Sequence, residues 1–482
     1  MKNSMTFGAT VMMVLASGSM VLGQGSNSPD SKAAGSSQRL EAAPSSSQKP
    51  ALSTATADWY SPLKNIPLGP GKLNIGFDLR TRYEFSDNFD VRRYGTEKND
   101  DLLLLRTRLS LDYKFNDQAH VFVEVQDARY WLSDLDRDLW PVNCPFYDAL
   151  DLRQAFAEWK KIGDTPFGFK AGRQSISYAD NRVFGPGEWG NVGRYWWDAA
   201  KVYYQSDPVQ VDLLYGQRVT SEPISFNNEH FPYEMFGAYA QFKKLSWDKF
   251  SLKPDLFYLV QYDDHGNLVG ESGPGDQQTH SVGFYFESRY GQHWDFSGTL
   301  AGQLGQYGQD DIRAYGANIK AGYTFDCPGS PRIGAEFSYA SGDDDPDDGV
   351  HETFDGIFGA VDLYYYGSMN VLPWMNLEDY QVTFSVKPWK SLTLRLDHHL
   401  YRLAESEDAW YWSSGKPARQ DPTGDSGSDL GQELNLVAQW QANKNLQLFT
   451  GYGHLFTGDF IRNTPGSDRD ADWFFFQGTY RF

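Results

Sequence analysis

Arginines recur two residues apart on segments that alternate in polarity. In Leu73–Phe85, LNIGFDLRTRYEF, Arg80 and Arg82 fall with Asn74, Asp78 and Glu84, opposite Leu73, Ile75, Phe77, Leu79, Tyr83 and Phe85. Successive side chains of a strand point to opposite faces, so this period of two makes one apolar and one charged face. Leu103–Phe115 repeats the pattern, with Arg106 and Arg108 beside Asp112 and Lys114, and Leu105, Leu109, Leu111, Tyr113 and Phe115 on the other side. A guanidinium is permanently charged, planar and able to grip a carboxylate through two hydrogen bonds. Gathered on the wall of a narrow, partly desolvated passage, such groups focus positive potential and admit anions. Interleaved acids such as Asp78, Asp112, Glu124 and Glu158 are expected to hold the arginines in place and keep binding weak enough for release.

Other chemistry has less support. There is no G-x-S-x-G elbow and no Ser–His–acid set on one wall, and His120 and Glu124 share a face without a nucleophile nearby. No catalytic residue, no metal site and no cofactor is expected. The run GDDDPDDG at Gly342–Gly349 lacks the spaced ligands of an EF-hand and is expected to be a solvated acidic loop. His398 and His399 are strand neighbours facing opposite ways and cannot chelate one ion together. Trp374, Trp410, Tyr411 and Trp412 lie in long connections, where they can stack on sugars or join an outer aromatic girdle. Cys144 and Cys327 are expected on opposite sides of a membrane and unbridged. A formal net charge of −20 excludes nucleic acid as a partner.

The elements that must carry the arginines are strands. No stretch beyond the N-terminus approaches the run of about 20 apolar residues that a membrane helix needs. Yet the chain is 16% aromatic at a mean hydropathy of −0.56, which suits a barrel whose lipid face uses every second residue. Met1–Gly23 has the form of a secretory signal, and 24–72 a disordered Ser/Ala/Pro-rich periplasmic leader. From Leu73 to Phe482 alternating segments recur in pairs, joined by short turns such as Asn116-Asp117, with longer segments between pairs: Ser86–Asp101, Tyr130–Leu150, Ile176–Ala200, Gly342–Asn376 and Ala404–Leu430. The stretch between Tyr262 and Ser281 is likewise a connection in this scheme. The expectation is an all-β transmembrane antiparallel barrel of about eighteen strands, each roughly nine to thirteen residues, with short periplasmic turns and long extracellular loops. The last strand, WFFFQGTYRF, ends in alternating aromatics of the kind by which outer-membrane barrels are recognised for assembly.

The residues AGRQSISYADNRVFGP and EWGNVGRYWWDA within Phe167–Tyr204, with LRQAFAEW at Leu152–Trp159, HLYRLAESEDAWY at His399–Tyr411 and LGQELNL at Leu430–Leu436, resemble the bacterial alginate export porin family from about Leu73 to Phe482. The resemblance implies an eighteen-stranded outer-membrane barrel whose arginine-rich constriction passes an anionic uronate polymer. It makes Arg153 and Arg173 wall residues, and places Asp180 and Arg182 in a loop entering the pore. Arg194 and Arg395 complete the expected pore-lining set with Arg80, Arg82, Arg106 and Arg108. The expected partners are a uronate polymer or oligomer, outer-membrane lipid and lipopolysaccharide, with a periplasmic scaffold protein as an option for the leader. The turns here are all short, whereas secretion-dedicated members carry a long periplasmic one. Uptake, or a general porin for acidic oligosaccharides and small anions, is therefore the alternative.

Overall fold

The computed structural model describes residues 58–88, 99–134, 140–359, 365–412 and 415–482. The signal-like segment and the leader as far as residue 57 lie outside them.

The alternating segments form eighteen antiparallel barrel strands among the described residues. They are β1 (Gly71–Asp87), β2 (Asn99–Lys114), β3 (Ala119–Trp131), β4 (Asp148–Trp159), β5 (Phe167–Gln174), β6 (Trp197–Gln205), β7 (Val209–Val219), β8 (His230–Phe242) and β9 (Phe250–Gly270). There follow β10 (Gly273–Tyr290), β11 (Trp294–Gly308), β12 (Asp310–Thr324), β13 (Arg332–Ala340), β14 (Leu377–Trp389), β15 (Leu392–Arg402), β16 (Asp429–Gln441), β17 (Leu446–Thr457) and β18 (Ala471–Arg481). Each pairs with its sequence neighbour, and β18 closes the cylinder on β1 with Asp78 opposite Arg481. Closure leaves no sheet edge with unpaired backbone groups.

Leu213, Leu256, Val282, Leu300, Ile319, Val382 and Leu436 point outward and are exposed, as a lipid face requires. Trp159, Trp247, Tyr290, Trp294, Trp389 and Trp440 ring the short-turn end as an aromatic girdle. Phe474 and Phe476 of the last strand lie on this outer face, whereas Trp473 and Phe475 are buried inside.

Three expectations are corrected. Strand lengths run from 8 residues in β5 to 21 in β9. The expected connection between Tyr262 and Ser281 is instead paired hairpin, with Leu268 opposite Gly275 and Gly270 opposite Gly273. Its Asp-, Gly- and Gln-rich sequence has no apolar alternation, because backbone pairing and polar contacts hold it, among them Gln261 donating to Gln277 at 3.0 Å and the Ser272 amide donating to Asp310 at 2.8 Å. At about 3.3 Å per residue β9 extends roughly 70 Å, far beyond the nine to eleven tilted residues that cross a bilayer.

The third correction concerns residues 58–72, read as part of the disordered leader. Ser61–Leu63 forms a 3₁₀ turn, and Ile66–Leu68 pairs with the start of β1. Trp59 and Tyr60 pack on the C-terminal Phe482 at 4.9 and 5.2 Å between ring centroids, and Asp58 pairs with Lys444. The composition cue failed here because the anchor is a handful of aromatics, not an apolar run. Removing residues 24–57 while keeping the signal-like segment should leave a heat-modifiable barrel of unchanged thermal stability. Extending the deletion through Leu68 should lower stability by about 2 kcal/mol, the weight of two aromatic pairs, seen as a lower temperature for the gel-mobility shift.

Candidate functional site

The connection from β5 to β6, residues 175–196, folds into the barrel. Its sequence explains the sharp path: Gly187 and Gly193 take φ +62° and +94°, and a Cβ on Gly193 would stand 3.0 Å from Nη2 of Arg153. At its tip, Glu188–Asn191 meets the inward arginines of β1, β2 and β4.

Arg80 donates from Nη1 to the carbonyls of Glu188 and Trp189, both at 3.1 Å, and from Nη2 to that of Gly190 at 2.7 Å. Arg82 donates to the Trp189 carbonyl at 2.7 Å, lies over the Trp189 ring at 4.2 Å and pairs with Glu84 at 2.6 Å. The Glu188 carboxylate takes Arg108 at 2.7 Å, Arg153 at 2.8 Å and Arg106 at 3.3 Å. Arg153 also stacks on Trp196 at 4.2 Å. Asn191 donates to the carbonyls of Leu105, Arg129 and Phe146. The Glu188 side chain keeps 38% of its surface open while Arg106 and Arg153 keep 2% and 1%. Burial opposes its charge, but Arg108, Arg153 and Arg106 outweigh that and hold the carboxyl well below the usual carboxylate range.

Arg80, Arg82, Arg106, Arg108 and Arg153 of the expected set therefore converge. Arg182 and Asp180 lie in the same inward loop. Arg182 pairs with Glu336 of β13 at 2.7 Å and lies over the rings of Tyr365 and Tyr366 at 4.7 and 4.9 Å. Asp180 faces Lys320 of β12 at 3.7 Å. Arg194 stacks on Tyr195 at 5.2 Å in that loop, and Arg395 faces inward from β15 beside Asp397 at 2.7 Å.

Arg173 is a correction. It stands opposite Ala155, which stands opposite Val123 and Leu111, so it belongs to the outer face. There it makes a two-pronged pair with Asp198, at 2.9 Å on both prongs, and donates to the Asn227 carbonyl. The adjacent Gln174, by contrast, points inward. Among the expected acids, Asp78 reaches Arg106 only at 3.7 Å, and Asp112 and Glu158 hold His120 instead, at 2.8 and 2.9 Å. Glu124 accepts from Gln154 at 3.1 Å. The acid that organises the arginines is Glu188, which strand alternation cannot find because it sits in a loop; its signal was the GPGEWGN glycine run.

A second loop, between β13 and β14, packs against the first. Phe358 bridges to Phe184, and Trp374 is buried, donating to the Tyr339 carbonyl at 2.8 Å. Trp410 is buried too, donating to the Val371 carbonyl at 3.1 Å. These tryptophans thus form neither an outer girdle nor an open sugar shelf; they belong to an apolar core inside the long-loop end of the barrel. In the acidic run, Asp344, Asp345, Asp347 and Asp348 are exposed as expected, whereas Asp343 is buried and accepts from the Glu352 amide at 3.3 Å. His399 is buried against Asp379 at 3.0 Å, and His398 bonds Gln432 on the other face. No disulfide joins Cys144 and Cys327.

The family description "Alginate export" matches residues 71–475. The chain belongs to the alginate export family. The comparison with curated proteins gave no match. Among solved structures, Pseudomonas aeruginosa OpdK with vanillate is 10% identical at a TM-score of 0.56, with 85% of this chain and 98% of that chain covered. P. aeruginosa OpdO is 12% identical at a TM-score of 0.54, with 85% and 97% covered, and Acinetobacter baumannii OccAB4 10% identical at 0.55, with 85% and 98% covered. These likenesses concern the fold. With its closed eighteen-stranded cylinder and apolar outer face, this alginate export family member is an outer-membrane channel of a Gram-negative cell.

Glu188→Gln should leave Arg106, Arg108 and Arg153 repelling one another. After discounting for the open side of the carboxylate, the loop should lose about 2 kcal/mol, read as roughly 30-fold faster amide exchange at 188–192. Because its pKa is depressed, Glu188 contributes this stability at all pH values above the ordinary carboxylate range. The contribution fades only as pH falls toward the depressed value. Wild-type exchange protection at 188–192 should therefore be flat from neutral pH down to about 5 and decline only in stronger acid.

Proposed function

We propose that the channel passes anionic polysaccharide, a uronate polymer or its oligomers, along the arginine cluster. The observation that carries this is the concentration of five guanidinium groups, from Arg80, Arg82, Arg106, Arg108 and Arg153, on one stretch of inner wall around Glu188. Nε and Nη1 of Arg153 and Nη2 of Arg108 have no hydrogen-bond partner among the described residues, so the cluster keeps donors in reserve for carboxylates when the loop moves. The family's description as alginate export supports the polymer.

The second reading is a porin for small carboxylates. It is favoured by the short turns, none longer than seven residues among the described ones, which leave no plug at that end. It is favoured also by the likeness to OpdK, whose structure is described with vanillate.

In planar bilayers the wild-type pore should prefer anions and be blocked by oligouronates. Replacing Arg108 and Arg153 together by Ala should reduce the anion preference and weaken block about tenfold, the scale of one charge-assisted contact. Arg173→Ala, on the outer face, should change neither. Block by long oligouronates but not by single carboxylates supports the polymer; the reverse supports the small-anion porin. A cation-selective wild-type pore, insensitive to both, would refute the proposal.

A further inference from the structure

The inner wall of such a barrel is wet and polar, yet Phe122 of β3 and Phe156 of β4 point into it. They are cross-strand partners, in the row between His120–Glu158 and Glu124–Gln154. Their rings stack at 5.2 Å between centroids and 24° between planes. Both are half-buried, so part of the aromatic surface stays open. Two apolar rings on a solvated wall cost hydration and are not covered by the plugging core, which is the pattern of a surface kept for a ligand.

Lys170 of β5 stands beside them. Its ammonium lies 3.7 Å from the centroid of Phe156, and its cross-strand neighbours are Glu158 and Lys201. The acids nearby are already engaged. Glu158 accepts from His120 and from the Tyr203 hydroxyl, both at 2.9 Å, and Asp212 takes Lys201 at 3.0 Å and the Tyr178 hydroxyl at 2.6 Å. Lys170 itself forms neither an ion pair nor a hydrogen bond among the described residues. It is an ammonium with three free donors on a flexible stem, resting on an aromatic ring.

We propose that Phe122, Phe156 and Lys170 form a subsite for one acidic sugar unit: the ring's apolar face lies on the phenylalanine pair, and Lys170 swings from Phe156 to take the carboxylate. Aromatic faces accept sugar C–H groups, and a single ammonium then selects the charged sugar over the neutral one. The subsite lies toward the short-turn end of the arginine cluster, since Phe122 pairs with Asp112, four residues along β2 from Arg108. That is about 13 Å at strand spacing, so one chain can engage both. The inference rests on the uronate reading above and adds a first contact from the short-turn side.

The test is single-channel block by an oligouronate and by a neutral oligosaccharide of equal length, each added from the short-turn side, to wild type, Lys170→Gln and Phe156→Leu. Gel-mobility shift on heating confirms that each variant folds. Lys170→Gln should shorten the dwell of the oligouronate about tenfold, the scale of one charge-assisted hydrogen bond, and leave the neutral oligomer unchanged. Phe156→Leu should shorten both dwells. Anion preference should persist in both variants, because the arginine cluster is intact. Unchanged dwells in both variants of a pore that uronates do block would overturn the subsite while sparing the uronate reading. So would an effect of Lys170→Gln with none from Phe156→Leu. A wild-type pore that uronates do not block would overturn both.

Discussion

Five guanidinium groups buried on one inner wall, and the loop that answers them, set the terms for the rest of this channel. A buried cation without partners is far costlier than one in water. Here the partners are chiefly the backbone carbonyls of Glu188, Trp189 and Gly190 and the carboxylate of Glu188, with Glu84 and Gln126 of the wall taking Arg82 and Arg108. Satisfying the arginines therefore means bringing the β5–β6 loop inside the barrel. Once there, its apolar side chains must also be covered. Phe184 meets Phe358, and Trp189 meets Phe475 at 5.0 Å, so the barrel has a packed core at the end that carries the long loops.

Charge is partitioned in the same way. The chain's formal charge is −20, yet its clustered arginines face inward, with runs such as GDDDPDDG placed in a loop. Fields from exposed loop acids are screened within about 8 Å at physiological ionic strength. Charges in a confined, poorly hydrated passage are screened less. The proposed anion passage therefore rests on the local sign of the wall and not on net charge, and five guanidinium groups outnumber the Glu188 and Glu84 carboxylates that pair with them.

The outer surface follows a separate logic. Leucine, valine and isoleucine at alternate positions make the lipid face, and tryptophan and tyrosine mark the short-turn boundary. Beyond the opposite boundary the wall becomes polar, and there Arg173 with Asp198, and Arg129 with Asp127, form outer pairs at 2.9 and 2.7 Å. The same residue type thus does two jobs, separated by a single step along a strand.

Alternation along the chain determined the barrel, the number of strands and which face of β1 and β2 carries arginine, because a period of two is a local property of a strand. It determined too that His398 and His399 part company. Tertiary structure alone decided where strands end, since β9 and β10 pair beyond any apolar alternation, held by backbone hydrogen bonds and by the Asp310 carboxylate, which accepts from the amides of Glu271 and Ser272. It decided the fate of Trp374 and Trp410, because whether a loop aromatic faces sugar, lipid or core depends on where distant loops meet. It put Arg153 inside and Arg173 outside. Arg153 is the extra residue where the β3–β4 register shifts between Gln154 and Leu152, while Arg173 keeps the outward phase of Ala155. No count along the sequence shows such a shift. And it supplied Glu188: a carboxylate in a glycine-rich loop has no periodic address, and becomes the hub of the site only when the chain folds back through the barrel to reach the arginines that need it.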